Sequence, residues 1–168
     1  HIDSMEEKIS AVKDLFENWG LTNIKLNVGF MEAEFEAKPD DQEAAWEMYV
    51  ELITRTLTQE LRDEDGDEKT ALDSVHSLFP ITREILKSKG RKCEAFTKIA
   101  VIVLNQIVRP FTAKWHKLEI EGAFDNPAKC KEFREELKQL QSKMRGYSAM
   151  LASIAGVEDI TALCEEES

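Results

Sequence analysis

Asp73, His76, Asn105, Arg109, Trp115 and His116 are the polar or hydrogen-bonding side chains that helical spacing could gather inside an otherwise apolar bundle. Arg109 is the sharpest of them chemically, because a guanidinium offers a rigid fork of donors matched to a carboxylate or a phosphate. Two similar phrases flank the set, Phe79-Pro80-Ile81-Thr82-Arg83 and Arg109-Pro110-Phe111-Thr112-Ala113. Each proline lacks an N–H and frees the carbonyl four residues earlier, at His76 and at Gln106, so both helices are expected to kink. Counting back at ~1.5 Å per residue from a turn near Lys92 places Pro110 opposite residue 74, which brings Asp73 and His76 to Arg109. One reading is a small-ligand pocket, a sensor or carrier site for an anion or nucleotide opened by the kinks. The other is a self-satisfied Arg-Asp pair with His and Asn serving the kink carbonyls, and it is the default because buried polar groups need partners whether or not a ligand exists.

Metal chemistry fares worse. Asp73-x-x-His76 and His116-x-x-Glu119 each put a carboxylate and an imidazole on one helical face, but di-metal bundles use Glu-x-x-His twice plus two further glutamates. Here one motif carries Asp, the other is reversed, and His116 falls at a helix end. The acidic run from Asp63 superficially suggests calcium, yet Glu68 stands where an EF-hand loop needs glycine and Ser74 where it needs a bidentate glutamate. No Gly-x-Ser-x-Gly elbow, Cys-His signal or glycine-rich phosphate loop occurs. Cys93, Cys130 and Cys164 are an odd set without a Cys-x-x-Cys pair, as expected of ordinary thiols in a reducing compartment. The sequence therefore predicts no catalytic residue, no metal and no cofactor, and a non-enzyme.

Charge is the stronger signal. The chain carries a net charge of −11, and 14 acidic residues against 3 basic ones between Glu32 and Glu68 account for all of it. Between Arg83 and Lys117 the balance reverses, with nine basic residues against Glu84 and Glu94. Such a dipolar molecule is expected to act as a protein-protein interaction or regulatory module, its acidic sector (Glu43, Glu47, Asp63, Asp65) meeting a basic partner surface. Nucleic acid is a poor partner for so acidic a chain. Lys87, Lys89, Arg91 and Lys92 could touch a phosphate, although cations also end helices routinely.

The elements that must position these groups follow from periodicity. With 168 residues, 42% hydrophobic and 33% charged, the chain suits one domain. His1 to Ser4 read as a cloning scar before Met5, residues 5–164 as the domain, and 165–168 as an acidic tail. Met5 to Trp19 reads as a short amphipathic helix closed by Gly20. Alternation on both sides of Gly29 predicts a β-hairpin over about 23–37. A helix capped by Asp40 or Asp41 carries Trp46, Val50, Ile53, Leu57 and Leu61 as its apolar stripe. Glu68 to Lys89 forms the next, broken by Pro80. Glu94 to His116 follows, interrupted by Pro110 and apolar on every side at Ile99 to Leu104, the mark of a buried centre. Asn126-Pro127 opens a last helix running to Ala155, with Phe133, Leu137, Leu140, Met144, Tyr147, Leu151 and Ile154 in heptad rhythm. That rhythm suits bundle packing, and equally a seam with a second copy of this chain. Trp46, Phe96, Phe111 and Trp115 are expected in the core rather than as interface anchors.

The predicted architecture is mainly α: an up-down-up-down bundle of four longer helices, with a short N-terminal helix and the hairpin packed outside. No apolar stretch reaches membrane-spanning length and no leader pattern is seen, so the expectation is a soluble, cytoplasmic protein with no membrane partner.

Overall fold

A computed structural model describes residues 10–21, 24–25, 34–55 and 67–161 of the chain, and it is mainly helical. Among the described residues no helix is long and apolar enough to cross a membrane. A two-residue antiparallel pairing joins β1 (Ser10–Ala11) to β2 (Glu34–Phe35), with Ser10 opposite Phe35. The predicted hairpin over 23–37 lies largely outside the described residues. What is described pairs its distal end with the chain N-terminal to the first helix. That pairing is also why α1 (Val12–Asn18) starts later than the Met5 start its periodicity predicts. It ends at Gly20, whose φ of 73° lets Leu21 N donate to the Phe16 carbonyl at 2.9 Å.

The next helix, α2 (Pro39–Ile53), begins with proline at its first position, and its cap is Lys38 rather than Asp40 or Asp41. Asp41, three residues inside, is buried. Its Oδ2 accepts the Lys38 amide at 2.9 Å and its Oδ1 accepts the Phe96 amide at 3.0 Å. One carboxylate thus closes the start of α2 and ties it to the start of a helix 55 residues away. The buried face of α2 is Ala44, Ala45, Met48, Tyr49, Leu52 and Ile53. Of the predicted stripe Ile53 falls on this face, but Trp46 is 48% exposed and Val50 half-buried, while Leu57 and Leu61 lie outside the described residues. Ranking by hydrophobicity favours tryptophan, whereas close helix approach favours alanine.

Asp67 caps α3 (Glu68–His76) by accepting the Thr70 amide at 2.6 Å, a bond that holds its carboxyl below the usual aspartate range. The chain breaks at Ser77 before α4 (Leu78–Lys89), where Pro80 leaves the His76 carbonyl without its helical donor. After a 3₁₀ turn (Gly90–Cys93) comes α5 (Glu94–Val103). It runs into a π-helical turn, Leu104–Val108, and then α6 (Arg109–Ile120). Here the expected proline kink is a change of ladder instead: Arg109 N donates five residues back to Leu104, and the missing Pro110 donor is absorbed in the wider turn. Nor is the apolar stretch of α5 buried on all sides, since Val101 is 41% exposed while Ile99, Ala100 and Val103 are buried.

The 29-residue α7 (Pro127–Ala155) matches its predicted bounds, with the Asn126 side chain accepting the Ala128 amide at 2.9 Å. All seven heptad residues are buried in the core of this chain, against α2 above all. The rhythm is therefore accounted for within this chain. Arg134 and Glu68, both little exposed, join α7 to the start of α3 at 3.0 Å.

Candidate functional site

The structure divides the predicted polar cluster into three places. Arg109 is exposed; its Nε donates to Asn105 Oδ1 at 3.1 Å and its guanidinium lies 4.7 Å from the centre of the Phe79 ring. Asp73 does not reach it, pairing instead with Lys69 at 3.8 Å, and Lys69 also meets Glu119 at 3.5 Å. Phe79 faces Arg109 and His76 faces His116, so the antiparallel register is one to two turns from the counted one. The count assumed continuous α-helix, and the 3₁₀ and π turns between the two arms change the rise per residue. Trp115 is buried in an aromatic cluster, 5.1 Å from Phe133 and 6.1 Å from Phe124, with Phe111 also against Phe133. It belongs to the core, as do Phe96 and Phe111.

The two histidines do meet. Their rings are 5.6 Å apart, edge to face, and His76 Nε2 is buried with no hydrogen-bond partner among the described residues. Burial and then the neighbouring His116 push the His76 pKa down, with Lys69 adding to them and Asp73 opposing. The unfolded chain then binds a proton that the folded chain refuses as pH falls below the ordinary value of 6.5. Stability is accordingly expected to be full above that value and to decline as pH falls through it, ahead of carboxylate titration. Thermal melts at half-unit steps should show that slope, and His76→Gln should flatten it. No group of three or more His, Cys, Asp or Glu among the described residues is placed to hold a metal ion. Cys93 is buried and Cys130 half-buried, and both are free thiols.

A cleft of about 450 Å³ lies elsewhere, between α2 and α4. Its apolar lining is Trp46 and Val50 from α2 with Ile81 and Ile85 from α4, and Glu47, Glu51 and Glu84 stand around them. Trp46 tilts against Tyr49 with ring centres 6.1 Å apart, and Tyr49 is itself fixed by donating to Asp159 at 3.0 Å. Of the residues predicted to meet a partner, Glu47 lines this cleft, and Glu43 and Glu47 share Lys89, at 3.0 and 3.3 Å. Lys89, from the basic stretch, therefore crosses to the acidic one and neutralises part of it; its ammonium is held charged to higher pH by the Glu43 bond. Asp63 and Asp65 lie outside the described residues. Sequence reasoning missed this site because it assigned Trp46 to the core; the hint was the phase conflict between Trp46 and Ala44-Ala45.

Comparison of the chain with protein-family models, with curated proteins and with solved structures finds no match.

Proposed function

We propose that the protein is a non-catalytic interaction module, and that the cleft between α2 and α4 receives a basic, amphipathic helical segment of a partner protein. The observation carrying this reading is Trp46, 48% exposed beside Val50, Ile81 and Ile85 in a cleft whose apolar residues are edged by carboxylates. Tryptophan is the residue type most often found at the energetic centre of interfaces. A helix laid in a groove with apolar residues at i, i+3, i+4 and i+7 would cover Trp46, Val50, Ile81 and Ile85. Its cations would meet Glu47, Glu51 and Glu84, and electrostatics would set the encounter rate more than the affinity.

The test uses two synthetic helical peptides with the same leucine face, one with lysine and one with glutamate at every other position, titrated into the whole chain by calorimetry. The lysine peptide is expected to bind, the glutamate peptide not. Trp46→Ala should weaken the lysine peptide by roughly tenfold or more, the loss typical of an anchor residue. Equal affinity for wild type and Trp46→Ala, with both folded by circular dichroism, would refute the reading.

A further inference from the structure

A second concavity, of about 400 Å³, opens where the β2–α2 junction faces the 3₁₀ turn and the start of α5. Its floor is apolar, from Val12, Phe35 and Ala95. Its two walls differ in sign. From the β2–α2 side come Glu36, Lys38 and Asp40; from the other come Arg91, Lys92 and Lys98 with Glu94. Glu94 is engaged with Lys98 at 3.2 Å, and the Asp41 carboxylate beneath is spent on the Lys38 and Phe96 amides. Lys38, Arg91 and Lys92 make no ion pair among the described residues. The lining as a whole is balanced, four cations against the four carboxylates of Glu36, Asp40, Asp41 and Glu94, but Glu94 is engaged with Lys98 and Asp41 with two amides, so the Arg91–Lys92 wall offers free positive charge in a chain of net charge −11.

We infer that this hollow binds a phosphomonoester carrying hydroxyl groups, of the size of a nucleoside monophosphate. Arg91 supplies the planar fork that matches a phosphate, with Lys92 as a point charge on the same wall and Lys38 on the facing one. The carboxylates of Glu36 and Asp40 accept hydrogen bonds from hydroxyls of the organic part. Val12, Phe35 and Ala95 take the apolar portion, and the volume falls in the range of small-molecule sites. The anion site thus sits at Arg91, well away in the fold from the Arg109 cluster to which sequence spacing pointed. This inference is independent of the peptide cleft between α2 and α4.

The probe is AMP, titrated calorimetrically into the whole chain, with adenosine as the phosphate-free control. AMP is expected to bind saturably with Kd below about 1 mM, and adenosine not to bind. Arg91→Ala/Lys92→Ala, at two exposed positions, should weaken AMP at least tenfold. Arg83→Ala/Lys87→Ala, which removes equal charge from α4 outside the hollow, should leave it within about twofold. No saturable AMP binding, AMP binding retained by the Arg91/Lys92 variant, or equal loss in both double variants would each overturn the assignment.

Discussion

Gly146→Ala is expected to destabilise the protein, although alanine is the better helix former and position 146 lies in the middle of α7. A Cβ there would stand 2.2 Å from the Trp19 carbonyl oxygen and 3.4 Å from its carbon. The obstacle is backbone, held between α1 and Leu21, and it cannot rotate away as a side chain end could. The helix-propensity gain is about 1 kcal/mol. Overpacking costs about 1–3 kcal/mol and occasionally more, and a backbone clash this close belongs at the upper end. A net loss of about 2 kcal/mol lowers Tm by roughly 4–8 °C in a chain of this length. Ser142→Ala, on the exposed side of the same helix, should leave Tm unchanged or raise it. If Gly146→Ala melts at or above the wild-type temperature, Trp19 does not rest on α7.

Asp41→Ala removes the carboxylate that serves two amides at once, those of Lys38 and Phe96. Stranding a buried donor costs about 1–3 kcal/mol, and the Phe96 amide, beneath a fully buried side chain, has little access to water. Lys38 is exposed and regains part of its loss from solvent. The sum is expected at about 2–4 kcal/mol, read as a lower urea midpoint with an unchanged slope. Asp41→Asn keeps one acceptor but turns an NH₂ toward the other amide, so it should fall between wild type and Asp41→Ala. Hydrogen exchange at Phe96 should quicken in the alanine variant before global unfolding does. A midpoint equal to wild type for Asp41→Ala would mean that the two helix starts are held together by something else.

What the sequence made legible was periodic. The heptads of α7, its Asn126 cap and the stop at Gly156 are local signals that no distant contact opposes, and the helix appears within its predicted bounds. The phase of α2 was hidden because its core face is built from Ala44 and Ala45, which a hydrophobicity ranking passes over in favour of Trp46. Asp41 looked like one of two interchangeable caps; its partner Phe96 is 55 residues away, and nothing in local spacing announces such a bond. The prolines were visible but their outcomes were not: Pro80 follows a break at Ser77, Pro110 a π turn. For the polar cluster, residue types alone do not reveal a register displaced by one to two turns, which gives Arg109 the Phe79 ring and His76 the His116 ring as neighbours.

Gln106, within the π turn, donates from Nε2 to the Lys25 carbonyl and accepts the Lys25 amide at Oε1, both at 2.7 Å. The side chain thus impersonates a neighbouring peptide unit and grips residue 25 by its main chain alone. Position 25 is consequently blind to the identity of what it carries and closed to proline, which has no amide to offer. Position 106 is the reverse: glutamate or leucine, close in size, would each forfeit at least half of the grip, so tolerance to substitution runs in opposite directions at the two ends of one contact.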